Sequence, residues 1–276
     1  MCQLCEKYGE SNRWYLNPKN YARPLYRKVE KGKEREPMIL DEIRAPLSMI
    51  KPLIDLKDKP EAYEKAMEEF TKRQERMVGQ VVSLEDAKRM VEIAQPIARI
   101  DCICRRAFRA TLEDGEHRPR SCLGLGIGML RWEEWPERYK GGLEFLSMEE
   151  TKKHIEHWHK RGMVITIMAF GTPFIGGICL CDYPDCIAIR MRVDYGVKPF
   201  LLKGHQIAKV KYDECIGCGT CAQRCQFGAI KMEVTTNKSN IDLMRCFGCG
   251  VCAYACSQDA IKLIDRENLP SLKEEW

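Results

Sequence analysis

Polar and apolar positions change rhythm several times along this chain. Residues 1–37 show no regular period; Asn-Pro at 17–18, Arg-Pro at 23–24 and scattered tyrosines mark an irregular arm of the kind that wraps a partner or its own domain. The pattern then predicts a helix over 38–56 and another over 60–77, with proline in the second helix's first turn and Gly79 at its end. Ser83, with Asp86 three residues later, opens a further helix to about Gln95. At Ile97 the rhythm becomes that of a strand, predicted over 97–104. Ser147 and Glu150 start another helix, which stops at Gly162. Residues 163–181 carry no charge, but Gly171, Thr172, Pro173, Gly176 and Gly177 interrupt them. Two buried strands, 163–170 and 174–181, joined by a Thr-Pro turn fit this stretch better than a membrane span. These elements predict an α+β protein with a helical N-terminal region (1–95), a cysteine-rich α/β module (96–204) and a distinct C-terminal part (205–276).

Cysteine spacing turns this outline into chemistry. The run Cys215-x-x-Cys218-x-x-Cys221-x-x-x-Cys225 recurs 31 positions later as Cys246-x-x-Cys249-x-x-Cys252-x-x-x-Cys256, with Ile230 and Ile261 also in register. A [4Fe-4S] cube takes four thiolates. Cysteines three apart wrap three irons of one cube, and the cysteine four residues on, already inside a helix, points toward the other. Zinc pairs use separated Cys-x-x-Cys hooks instead. Gly217, Gly219 and Ala222 also match a dinucleotide-loop pattern, but no βαβ unit precedes them.

Residues from about 206 to 263 therefore resemble a bacterial-type 2[4Fe-4S] ferredoxin. The resemblance implies one cube on Cys215, Cys218, Cys221 and Cys256, and a second on Cys246, Cys249, Cys252 and Cys225. The family's proline after each fourth cysteine is replaced by Gln226 and Ser257, so the family's reduction potential does not transfer.

Eight cysteines lie outside this repeat. Cys102 and Cys104, like Cys179 and Cys181, stand two apart in predicted strands and so share a face. If those strands are neighbours, their thiols converge, with Cys122 and Cys186 close by in the following loops. The six are candidates for a third metal centre, iron–sulfur or zinc, built on Cys102, Cys122 and two of Cys179, Cys181 and Cys186; buried structural cysteines are the plain alternative. Cys2-x-x-Cys5 is half a site: part of another centre, a redox dithiol, or neither. The segments Cys102-Ile-Cys104-Arg105, Cys122-Leu-Gly-Leu-Gly and Ile178-Cys179-Leu-Cys181 more faintly resemble uncharacterised ferredoxin-containing proteins of anaerobes. That resemblance implies no activity. Where those proteins place a histidine after Gly-Met-Val, this chain has Ile165.

His154 and His157 share a helical face and could bind a metal or move protons, although an ordinary surface helix explains them as well. Glycines at 124, 126 and 128 lack phosphate-loop spacing and predict a tight turn beside Cys122.

Composition bounds the rest. Sixteen cysteines without an apolar leader favour metal ligation in a reducing cytoplasm over disulfides. The formal charge of +5 comes entirely from residues 1–205, because the remainder balances nine basic against nine acidic residues. Residues 1–37 carry nine basic and five acidic groups, and Tyr15, Tyr21, Arg23, Tyr26 and Arg27 suit docking on an acidic partner. Lysines and glutamates interleave, which argues against nucleic acid. The expected function is electron transfer to, or within, a cytoplasmic anaerobic oxidoreductase complex, through a redox protein partner. A self-contained reductase with its site at the third centre, or a reductive activator, is the alternative.

Overall fold

The computed structural model describes residues 2–21, 56, 58–74, 77–102, 104–105, 120–126, 129–130, 143–170, 173–272 and 275–276. The helix expected over 38–56 lies outside them, as do Arg23, Tyr26 and Arg27. In chain order, helix α1 (Gln3–Tyr8) is followed by α2 (Pro60–Gln74), β1 (Met77–Val81), α3 (Leu84–Ile93), β2 (Ile97–Ile100), β3 (Cys122–Leu125) and β4 (Glu144–Leu146). Next come α4 (Met148–Lys160), the hairpin β5 (Val164–Phe170) and β6 (Ile175–Cys181), α5 (Ile187–Val193) and β7 (Leu201–Leu202). The chain is an α+β protein.

Local signals set several of these boundaries. The Ser83 hydroxyl accepts the Asp86 N–H, and Ser147 and Glu150 form a reciprocal capping box, so both helices start where their caps stand. The second expected helix is shorter than its pattern: it ends at Gln74, and Met77–Val81 is a strand paired with β5 and β7. Gly79 thus stands inside a strand. A Cβ there would meet the Phe200 carbonyl oxygen at 2.8 Å, so the close approach of β1 to the segment before β7 requires glycine. Pairing on both edges, with Val78 and Val81, fixes this segment as a strand.

The sheet order is β4-β2-β3-β6-β5-β1-β7, antiparallel at every pair except β1–β7. One face packs Ile97, Leu123, Ile165, Ile167, Ile178 and Leu180 under α3 and α4. The opposite face carries Ile100, Val164, Met168 and the cysteines, covered by α5 and by Phe200 and Leu201. Among the described residues no helix is long and apolar enough to cross a membrane, and the uncharged stretch is the β5–β6 hairpin.

The N-terminal arm, where described, wraps its own domain. Trp14, Tyr15 and Leu16 are buried against the helical face of the sheet. Trp14 Nε1 donates to Gln80 Oε1 at 2.6 Å, and the Tyr15 hydroxyl donates to Asp86 Oδ2 at 2.8 Å. Arg13 pairs with Asp86 and also reaches Asp265 at 2.8 Å. Tyr15, with no exposed surface, is core and not a docking residue.

After β7 the chain enters a smaller, twofold-repeated unit. β8 (Gln206–Val210) pairs antiparallel with β11 (Ile261–Asp265), and β9 (Ile230–Met232) with β10 (Ser239–Ile241); α6 (Thr220–Arg224) and α7 (Val251–Tyr254) occupy equivalent places in the two repeats. Arg266, with no exposed surface, donates from Nε to Gly204 O at 3.0 Å, in the segment after β7, and from Nη2 to Cys246 O at 2.8 Å inside the unit. Gln226, at the position where the ferredoxin pattern has proline, donates to Gly162 O at 2.6 Å and accepts the Tyr183 N–H at 2.9 Å. The departure from the pattern serves docking.

Candidate metal centres

Two cavities lie inside the repeated unit. The first is lined by Cys215, Cys218, Cys221 and Cys256; the second by Cys246, Cys249, Cys252 and Cys225. Each thus takes three cysteines from one run and the fourth from the other. The helices make this exchange, in a manner the spacing only half anticipates. The fourth cysteine was expected inside a helix, but α6 ends at Arg224 with Cys225 as its extended C-cap, and Cys256 follows the C-cap of α7. It is the third cysteine, Cys221 or Cys252, that lies in the helix. Leaving the helix turns the fourth away from its own loop.

The loops are tightly placed. Gly248 has φ +72°, and a Cβ there would meet Gln206 O at 1.8 Å. Gly248→Ala is therefore expected to displace the 246–249 loop from β8 and cost the second cavity its metal, read as iron lost per chain; unchanged iron would contradict the fit. A side chain at φ above zero is strained in any case.

The two cavities differ in the side chains that line them and in how deeply their cysteines are buried. Cys218 is exposed at the first, which Thr220, Ser239 and Gln258 also line. Ser239 lies 3.4 Å from Cys215 Sγ, and its bonds hold that thiol below its ordinary pKa; backbone N–H groups near Thr220 do the same for Cys218. The second cavity is apolar, closed by Phe227 and Phe247 stacked at 4.0 Å. There burial pushes Cys249 up to about 12, and Cys246 and Cys252 up as well. Backbone N–H groups of Ala208 and Ala229 point at Cys246 Sγ (3.5 Å) and Cys225 Sγ (3.3 Å). Bonds of this kind stabilise thiolate ligands.

The six middle cysteines come together at one end of the sheet, by a different route from the one expected. Cys102 lies beyond the end of β2 and Cys104 in a helical turn, so the shared strand face does not apply to them. Nor are β2 and β6 neighbours: β3 runs between them, bringing Cys122 into the sheet instead of a following loop. The end of β2, the start of β3 and the end of β6 coincide. Cys102 is the hub, its thiol interacting with those of Cys104, Cys122 and Cys181; Cys122 also interacts with Cys179, and Cys181 with Cys186. Neighbouring thiols pull Cys102 below its ordinary value, while burial and their shared bonds push Cys104, Cys122 and Cys181 up. Arg105 ties the group together by pairing with Asp182 and, at 3.1 Å, with Asp185.

Cys102, Cys122, Cys181 and Cys186 share one apolar cluster with Phe247 and Val251, and Cys249 and Phe227 pack against it. The second cavity therefore borders the six-cysteine site, and the first lies beyond it.

His154 and His157 form no such site. Burial lowers His154 to about 4, its Nε2 lies 3.4 Å from Ser121 O, and both rings pack edge-on against Trp158. Sequence reasoning missed His205, which joins Cys2 and Cys5: the three ligand atoms all lie within 4.8 Å of one another. A lone histidine 200 residues from its partners gives no local signal.

Residues 214–260 match the sequence profile of the 4Fe-4S dicluster domain. No curated protein matches the chain. The profile covers both cysteine runs and none of residues 96–204, and the C-terminal unit is a ferredoxin-like 4Fe-4S domain.

Proposed function

We propose that this chain is an electron-transfer subunit that relays low-potential electrons to, or within, a cytoplasmic oxidoreductase complex of anaerobes. Two cavities, each lined by four cysteines drawn from both runs, carry this reading. Cys215, Cys218, Cys221 and Cys256 would hold one [4Fe-4S] cube, and Cys246, Cys249, Cys252 and Cys225 the other. When bound, such a cube stores and releases a single electron with little change of shape. Rigid loops, N–H groups aimed at sulfur and the stacked phenylalanines fix the thiolates and keep water from the second site.

The six middle cysteines would hold a third centre. Thiolates suit iron–sulfur groups and zinc alike, and the neighbouring iron–sulfur sites favour an iron–sulfur group here. Their place beside the second cavity gives the sites an order. The first cavity, open at Cys218 and flanked by Ile216 at 63% exposure, faces a redox partner. The second is the buried intermediate, and the six-cysteine site lies deepest, against the sheet. A self-contained reductase acting at that deepest site is the second reading, supported by its surplus of thiols.

Anaerobic redox titration of the full-length protein tests the proposal. The expected result is reversible uptake of one electron per centre, about three per chain. Reduction that is irreversible, or that releases iron, would contradict it. Reoxidation by a small-molecule substrate in the absence of any protein acceptor would favour the reductase.

A further inference from the structure

Three ligating side chains meet at a place the iron–sulfur reading does not use. Cys2 precedes α1 and Cys5 lies in its first turn, with the Cys5 N–H bonded to Cys2 O at 2.9 Å, so the helical turn points both thiols to one side. His205, one residue before β8, brings Nε2 to 3.3 Å from Cys5 Sγ. Cys2 and His205 are buried, and Cys5 is half-buried. Tetrahedral zinc with Zn–S near 2.3 Å and Zn–N near 2.0 Å sets sulfur and nitrogen about 3.5 Å apart, so the trio is close to the spacing one ion requires.

The surroundings also suit thiolate ligands. The Trp14 backbone N–H donates to Cys5 Sγ at 3.4 Å. Gln80 Nε2 points at Cys2 Sγ at 3.8 Å and donates to Lys203 O at 3.0 Å, while Gln80 Oε1 accepts from Trp14. The His205 ring is fixed between Tyr15, edge-on with centroids 5.6 Å apart, and Trp276 at 4.9 Å. These contacts orient the donors much as outer-shell partners do in known metal sites.

We infer that Cys2, Cys5 and His205 bind one zinc ion, with a small oxygen ligand in the fourth position. The ion joins the N-terminal arm to the segment linking the sheet to the ferredoxin-like unit. It closes a loop of some 200 residues between Cys5 and His205. Arg13, pairing with both Asp86 and Asp265, reinforces the same junction from its other side. The inference does not depend on the number of iron–sulfur centres.

The test is metal analysis and zinc X-ray absorption on the full chain, purified anaerobically with its iron–sulfur centres intact. The expected result is about one zinc per chain, with two sulfurs near 2.3 Å and nitrogen or oxygen near 2.0 Å. Cys5→Ser and His205→Ala should each lower zinc occupancy about tenfold or more with iron unchanged, and Cys102→Ser should leave zinc in place. Three results would overturn the inference: no zinc even after incubation with zinc ion, a Cys2–Cys5 disulfide in the anaerobic protein, or a four-sulfur zinc shell that depends on Cys102. The ligand ratio in the unmodified protein decides the matter even if a variant fails to fold.

Discussion

Cys225→Ser is expected to lower iron by about four atoms per chain, with the loss falling on the centre held by Cys246, Cys249 and Cys252. Cys225 belongs by sequence to the first run, so a local reading puts the damage there. The backbone decides otherwise: α6 ends at Arg224, Cys225 turns out extended, and its sulfur lines the second cavity, where the Ala229 N–H meets it at 3.3 Å. A serine oxygen is a harder ligand than thiolate and replaces it poorly at an iron–sulfur site. Electron paramagnetic resonance of the reduced variant should show the spectrum of the first centre, matching the one that remains when Cys249 is changed to serine. Cys256→Ser should do the converse. If Cys225→Ser instead removes the signal lost in Cys218→Ser, the crossed arrangement is wrong.

Replacing Arg105 is expected to have the largest effect on stability. Arg105 is 6% exposed, and its guanidinium binds Asp182 and Asp185, the latter only 4% exposed. Removing one member of a buried ion pair costs about 3–5 kcal/mol. Arg105→Ala should lower the free energy of anaerobic unfolding by about 3 kcal/mol. It should also release the metal of the six-cysteine site, since Arg105 anchors the Cys102–Cys104 segment to the loop between Cys181 and Cys186. Arg105→Lys should rescue little, because one ammonium cannot reproduce bonds from both Nε and Nη2. A loss below about 1 kcal/mol with the metal retained would show that the pair neither holds the loop nor matters to the site.

What the sequence revealed and what it hid divide along physical lines. Interactions within a few residues were legible: the caps at Ser83 and Ser147, the 163–181 hairpin and the repeated cysteine loops are all short-range. Interactions across the chain were not. Met77, expected as the last residue of a helix, instead begins a strand flanked by β5 and β7. Cys122 begins a four-residue strand whose other three residues are leucine or glycine, too short to show alternation, yet it is the strand that brings the middle cysteines together. The arm's consecutive Trp14, Tyr15 and Leu16 did carry a signal for burial, outweighed by the basic residues around them. His205 carried none, since its partners lie at the other end of the chain.

Iron and acid-labile sulfide per chain, measured on anaerobically purified protein alongside resonance spectra of its reduced form, test the central claim most directly. Three iron–sulfur centres predict about twelve iron and twelve sulfide, with interacting signals from the two ferredoxin-like sites. About eight of each would eliminate the third centre, and none of either would contradict the electron-transfer role itself.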